Sequence, residues 1–204
     1  MHILLASASP RRRELIHRIG WEADIEKSDF PEVKNEEEAL SFIRKEKKEM
    51  EFAPFAHSSL VCAANAFGKA ADAASRRGDG IPVVGADTIV VLWQDILGKP
   101  ENREDAFRML RALSGKTHAV KTGMAVLYQG KTDLTVTSTE VRFRQLEDEE
   151  IRKYIETGEP MDKAGAYGIQ GIGTLLVESI HGSYDNVVGL PLTVLYERMR
   201  KIVG

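Results

Sequence analysis

Two periods of apolar spacing run along the chain, and the changeovers between them mark its elements. Short apolar runs at about residues 2 to 6 and 21 to 27 predict strands. Between them Pro10 to Ile19 fits a helix, with Pro10 at a first helical position, Ser9 able to cap it and Gly20 just past its end. Residues 28 to 34, SDFPEVK, read as a loop. Asn35 and Glu38 have capping-box spacing at the start of a second helix, which Pro54 must interrupt before helical spacing resumes through Phe67 and Ala71. A turn, RRGDG at 76 to 80, precedes the apolar run VVGADTIVVL at 83 to 92. Asn102 then caps a helix in which Ala106, Met109, Leu110 and Leu113 share one face, closed by Gly115. Thr- and Val-rich stretches at 117 to 128 and 132 to 144 predict a long hairpin turning at Gln129 and Gly130. A helix at about 147 to 157 stops at Gly158, a glycine-spaced loop covers 165 to 173, TLLVESI predicts a last strand, and Pro191 opens the closing helix. Strands and helices alternate while one hairpin is antiparallel, so the expected α/β fold is a mixed sheet flanked by helices. The length suits one unit, a single domain over 1–204.

Within this pattern one residue is out of place. Asp87 lies inside the run at 83 to 92, where an ionised carboxylate costs several kcal/mol (roughly, by general transfer energetics) unless a metal, cations or hydrogen-bond donors compensate it. The bland account is an Asp that ends a strand and turns the chain, with Gly85 as a bulge. Its neighbours elsewhere in the chain decide between the two.

Composition narrows the function classes. Charged residues make up 29% of the chain, too many for a membrane protein, and no apolar run is long enough to span a bilayer, so the expected address is cytoplasmic without a membrane partner. The net charge of −3 lacks the basic balance of a general nucleic-acid binder. A single cysteine, Cys62 in an alanine-rich helical stretch, excludes an intrachain disulfide framework and reads as a buried structural thiol. Arg44, Lys45, Lys47 and Lys48 alternate with glutamates as a solvated helix face would.

The arginines at 11 to 13 are different, because they follow the first strand directly in ASASPRRRELI, residues 6 to 16. Unpaired N–H groups at a helix start, the helix dipole and arginines together favour an anion, and a phosphate fits there. The alternative is a capped surface helix with solvated arginines. Two other phosphate-loop candidates fail: Gly115, Lys116 and Thr117 mimic the end of a Walker A motif, but Leu110 stands where its first glycine belongs, and GIQGIG at 168 to 173 lacks dinucleotide-loop spacing. Lys99 in LGKP and Lys69 in FGKAADAA are each ordinary surface lysines taken alone. With the arginine turn, the Asp87 strand and the polar loop at 162 to 170, they fit a site for a polyphosphate and a divalent cation.

SASPRR at 7 to 12, GADT at 85 to 88, GKP at 98 to 100, LSGKTH at 113 to 118, GEPMDKAGAYGIQG at 158 to 171 and GSYDNVVGLPL at 182 to 192 together resemble the Maf family of nucleoside triphosphate pyrophosphatases, in order and over nearly the whole chain. The resemblance implies a mixed, elongated β-sheet flanked by helices, two lobes around a cleft related to inosine triphosphate pyrophosphatases, and commonly a homodimer. It implies hydrolysis of a nucleoside triphosphate to the monophosphate and pyrophosphate with Mg²⁺ or Mn²⁺. Carried over by position, Asp87 is the catalytic acidic residue, acting as general base or through the metal, and Glu32 is an acidic position associated with metal and water. Ser7, Arg11, Arg12 and Lys99 match phosphate-site positions, while Arg11, Thr88 and Gln170 match the specificity positions of the branch acting on dTTP and UTP. A branch described for 7-methyl-GTP departs from this combination. Between Glu32 and Asp87 the chain is longer than the family pattern, which points to a surface insertion at about 46 to 60 whose Phe52 and Phe55 read as exposed and able to cover the cleft or a dimer surface. Lys69 is the choice for the family's helical lysine, with Lys47 the runner-up. The competing classes are a nucleotide-binding regulator of cell division that does not hydrolyse, and a purine-directed pyrophosphatase of related fold.

Overall fold

The computed structural model describes residues 1–77 and 80–204, and the chain divides into two compact units. In chain order the elements are β1 (His2–Leu5), α1 (Pro10–Arg18), β2 (Glu22–Ile25), α2 (Glu36–Glu46), α3 (Glu49–Phe52), α4 (His57–Arg76), β3 (Val83–Leu92), β4 (Asp95–Leu97), α5 (Arg103–Leu113), β5 (Thr117–Tyr128), β6 (Lys131–Phe143), α6 (Asp148–Glu156), β7 (Val177–His181), α7 (Tyr184–Val188) and α8 (Leu192–Val203). The strands form one open mixed sheet in the order β2-β1-β3-β5-β6-β7, with β4 paired to β3 off that path. β1 pairs in parallel with both β2 and β3, whereas β3–β4 and β6–β7 are antiparallel. The expected α/β class, a mixed sheet flanked by helices, is the observed one. The turn expected at 76 to 80 includes Gly78 and Asp79, which lie outside the described residues. Among the described residues no helix is long and apolar enough to cross a membrane.

One unit comprises Met1–Asp87, Thr122–Thr137 and Gly189–Gly204. Its core is Ile3, Leu4 and Leu5 of β1, Leu15 and Ile16 of α1, Ala39 and Ile43 of α2 and a long buried face of α4. Helix α4 lies unusually close to the sheet. A Cβ at Gly85 would stand 2.2 Å from the Ala66 carbonyl oxygen, and one at Gly123 would stand 2.3 Å from that of Cys62, so only glycine admits the helix backbone at either place. The bland account, in which Asp87 ends the strand and turns the chain, does not hold: β3 runs on past Asp87 to Leu92. Cys62 is buried, as expected.

Three local expectations need correction. Ser9 sits at the N-cap of α1, but its side chain makes no capping bond; its own N–H donates to Ser7 Oγ at 3.2 Å. Phe52 is not exposed. At 2% exposure it packs edge-on against Phe67 at 5.8 Å between ring centroids and meets Phe55 at 6.4 Å, so the partner that this apolar residue needs lies within its own unit. Residues 46 to 60 thus supply the end of α2, all of α3 and the first turn of α4, and α3 packs on both neighbouring helices. Third, α2 begins with Asn35 Oδ1 accepting from Glu38 N at 2.9 Å, but the Glu38 carboxylate returns to Lys34 N, one residue before the box position.

The other unit comprises Thr88–Lys121 and Ser138–Val188. Its core gathers Val90 and Leu92, the apolar face of α5, Phe143, Leu146, the buried residues of α6, and Tyr167 and Leu176. Asn102 Oδ1 caps α5 by accepting from Asp105 N at 2.9 Å. The β5–β6 hairpin turn belongs to the first unit and is made by Gln129 (φ 48°) and Gly130 (φ 76°), the paired left-handed conformation that matches strand twist in a two-residue turn. The last strand begins later than expected, at Val177. The preceding TLL forms part of a 3-10 segment, Gly171–Leu176, because β7 is an edge strand that leaves most of its side chains exposed and so carries no apolar run.

Candidate active site

The carboxylate of Asp87 emerges from β3 two residues after Gly85, on the strand face that α4 approaches. It is 7% exposed, and its two oxygens have separate partners from one helix face. Lys69 Nζ lies 2.7 Å from Oδ1, and Asn65 Nδ2 donates to Oδ2 at 3.2 Å. Lys69 and Asn65 are four residues apart on α4 and therefore stack on the same face. The same Lys69 ammonium reaches Glu32 Oε1 at 2.6 Å, so one cation joins the two carboxylates. Glu32 is the more open of the pair, with a side chain 51% exposed against 10% for Asp87. Lys47, by contrast, is the exposed C-cap of α2, in a left-handed conformation, and has no part in this group.

Asn65 is the site residue that sequence reasoning missed. It is 3% exposed, its Oδ1 accepts from Val33 N at 2.8 Å, and its Nδ2 donates to Val33 O at 3.0 Å as well as to Asp87. One carboxamide thus ties the loop after Glu32 to the carboxylate of Asp87. The signal available was a polar residue within the buried stretch CAANAFGKA at i, i+4 spacing from Lys69. The loop itself is held by ring packing: an atom of the Phe30 ring lies 2.4 Å from where a Cβ of Gly68 would stand, and the ring is tilted against Phe42 with 5.0 Å between centroids. Asp72 adds two bonds at 2.8 Å, accepting from the Ser28 hydroxyl and from Asp29 N.

The anion turn forms in the same unit. Ser7, buried in the turn between β1 and α1, accepts from Arg12 Nη1 at 3.0 Å, and Arg12 Nε donates to Gly189 O at 2.8 Å. Arg11 and Arg12 are half-buried on the first turn of α1. Burial lowers the pKa of the Arg12 guanidinium from its ordinary value, opposed by the negative charges of Asp87 and Glu32 and reinforced by Arg11, yet an arginine remains protonated at neutral pH. The arrangement therefore sets fixed positive charge within electrostatic reach of two carboxylates.

Ser7, Arg11, Arg12, Glu32, Lys69 and Asp87 all belong to this unit, and the structure brings Ser7 to Arg12 and Lys69 to both carboxylates. Thr88, Lys99 and Gln170 belong to the other. Thr88 follows Asp87 on β3, Lys99 is exposed on the loop after β4, and Gln170 is half-buried between two 3-10 segments. Among the described residues no three His, Cys, Asp or Glu side chains gather as a metal cage. Glu32 and Asp87 still fit Mg²⁺ or Mn²⁺: these hard cations use one or two carboxylates and complete their shells with water and substrate phosphate oxygens.

A family model described as Maf-like protein matches residues 2–202. A dTTP/UTP pyrophosphatase of Caldanaerobacter subterraneus subsp. tengcongensis is 44% identical over 206 residues, spanning 100% of this chain and 90% of that protein. Another from Thermococcus kodakarensis is 44% identical over 195 residues, covering 96% and 94% respectively. A third, from Clostridium botulinum strain Alaska E43, is 44% identical over 207 residues and covers 100% of both chains.

Proposed function

The chain belongs to the Maf family, and from that premise we propose that it hydrolyses nucleoside triphosphates, dTTP and UTP first among them, to the monophosphate and pyrophosphate. The observation that carries this reading is the single ammonium of Lys69 bridging Glu32 and Asp87 beside the Ser7–Arg12 turn. A site that only sensed a nucleotide needs the cations but not a pair of carboxylates held together at the cost of burying one of them. That argues for the enzyme over the regulator.

In the reaction Arg11, Arg12 and Lys99 hold the phosphates, and the polyphosphate competes with Glu32 and Asp87 for the Lys69 ammonium. Glu32 and Asp87 would hold the divalent cation, which supplies charge neutralisation at the phosphates and an activated water. Water attacks the α-phosphorus, the bond from that phosphorus to the bridging oxygen breaks, and pyrophosphate leaves with the electron pair. Asp87 accepts the proton released by the water. Asn65 keeps the Asp87 carboxylate from rotating while its other oxygen is in use. Gln170 presents a donor and an acceptor to the carbonyl and N–H edge of uracil or thymine, with Thr88 and Arg11 completing base choice. The protein works as a cytoplasmic homodimer in this reading.

The test is purified protein with dTTP, UTP, ATP and GTP, with Mg²⁺ or Mn²⁺, and separate detection of pyrophosphate and orthophosphate. Pyrophosphate as the first product, faster from dTTP or UTP and lost in chelator, is the expected result. Orthophosphate first, or turnover undiminished by chelator, would sink it.

A further inference from the structure

Gln170 sits on a short bridge whose two ends are gripped by one pair of side chains. The carboxylate of Glu159, just after α6, gathers three donors: the Tyr154 hydroxyl at 2.9 Å and Gly173 N at 3.1 Å on Oε1, and Ile172 N at 3.1 Å on Oε2. The Tyr154 hydroxyl in turn accepts from Gly168 N at 3.2 Å. Residues 168, 172 and 173 are thereby pinned to one carboxylate–phenol pair, and residues 169 to 171 span the gap. The bridge leaves no slack for side chains. A Cβ at Gly171 would stand 2.8 Å from Glu159 Oε2, and one at Gly173 would stand 2.1 Å from the Gly168 carbonyl oxygen. Between these anchors the Gln170 side chain has no hydrogen-bond partner among the described residues, so its amide is not spent on the backbone. Tyr154 is 3% exposed, and burial pushes its phenol well above the ordinary value, which keeps it a donor to Glu159 at any pH near neutrality.

We propose that the Tyr154–Glu159 pair sets base selectivity by positioning Gln170: it holds the bridge so that the free carboxamide meets a pyrimidine edge in one orientation. The inference rests on the pyrimidine reading of Gln170 given above. A carboxamide discriminates a base only while its donor and acceptor are both in register, and a functional group held to within about half an ångström by its supporting residues loses that register when the support is cut. Neither Tyr154 nor Glu159 touches the reacting atoms; both act through the loop.

The experiment measures kcat/KM for dTTP, UTP, ATP and GTP by pyrophosphate release in the wild type, Glu159→Gln, Tyr154→Phe, Gln170→Ala and the Glu159→Gln/Gln170→Ala double variant. Glu159→Gln replaces one accepting oxygen with an NH₂ group that faces backbone N–H donors. The pyrimidine-to-purine ratio should then fall ~5- to 10-fold through KM for dTTP and UTP, with ATP and GTP changed by less than ~2-fold. In the Gln170→Ala background the same substitution should move the ratio by less than ~2-fold, since a residue acting through Gln170 has nothing left to act on. Tyr154→Phe keeps the ring in the core and removes only the hydroxyl, so it carries the test if Glu159→Gln does not fold, with a loss of ratio in the same direction. An equal fall for all four triphosphates, independent losses in the double variant, or a ratio unchanged in both single variants would overturn the proposal. A wild-type protein with no preference for dTTP or UTP would instead overturn the reading beneath it, and is recognised before any variant is made.

Discussion

Replacing Lys69 with Met removes the ammonium from between two carboxylates and keeps most of the apolar stem that lies along α4. The cost falls mainly on Asp87, whose side chain is 10% exposed and whose Oδ1 is left without its 2.7 Å partner. Removing one member of a buried ion pair costs ~3–5 kcal/mol, because the remaining charge stays desolvated and uncompensated. The half-exposed Glu32 end adds only ~0–1 kcal/mol. The bond from Asn65 Nδ2 to Oδ2 survives, which places the expected loss at the low end, ~3 kcal/mol, or a melting temperature lower by ~6–12 °C for a chain of this size. Adding Asp87→Asn removes the stranded charge, so the double variant should recover at least ~2 kcal/mol of that loss, a coupling that a double-mutant cycle isolates. Turnover should fall by at least ~100-fold in Lys69→Met, the scale of losing a charge-stabilising group. Urea and thermal unfolding of the four proteins, with pyrophosphate release on the same samples, is the assay. A Lys69→Met protein as stable as wild type, or losses that simply add in the double variant, would refute the ion-pair reasoning.

Asp87→Asn alone should keep the fold, since an amide still accepts from a donor, and lose at least ~100-fold in turnover; near wild-type turnover in a folded variant removes Asp87 from the mechanism. His118 is buried, with its imidazole held down to about 4 from an ordinary 6.5 by desolvation. A neutral buried base contributes stability that is complete above pH 6.5 and lost as pH falls toward 4, so wild type should lose about 2–3 kcal/mol from this group between pH 7 and 4.5, and His118→Gln should flatten that slope in urea unfolding. Phe52→Ala should destabilise by ~3–4 kcal/mol, because the ring is 2% exposed and packs on Phe67, whereas Met50→Ala, at an 87% exposed side chain, should stay within ~0.5 kcal/mol; equal effects would make this segment a detachable surface excursion after all.

What could be read from the sequence about the fold was whatever local chemistry decides. The Gln129–Gly130 turn and the Asn102 cap are settled by a few neighbouring residues, and both fall where expected. Elements that depend on distant partners were not legible. β4 is three residues long and exists only through its pairing with β3, while α3 and α7, of four and five residues, carry too little periodicity to announce themselves. β7 was displaced because an edge strand pairs on one side and exposes most of its side chains, so the apolar residues just before it drew the expectation toward the wrong end. Phe52 was misjudged for the related reason that dense charge around a residue says nothing about the aromatic it meets from another helix.

For the candidate site the division is sharper. Asp87 stood out because a carboxylate in an apolar strand demands compensation, and the compensating groups turned out to be Lys69, already suspected, and Asn65, not suspected at all. Asn65 was hidden because alanines on either side made its stretch read as plain core, and a buried Asn is worth nothing until the three groups it bonds are known. Those groups reach it through a backbone feature. Gly85 and Asp87 point to the same face of β3, and the missing side chain at Gly85 lets α4 approach until the Ala66 carbonyl occupies the space a Cβ would take. Asn65, next to Ala66, and Lys69, about one turn further along α4, are thereby placed within hydrogen-bonding distance of the carboxylate two residues further along the strand. A glycine first read as a possible flaw in a strand is thus the reason that a buried charge can be both tolerated and used.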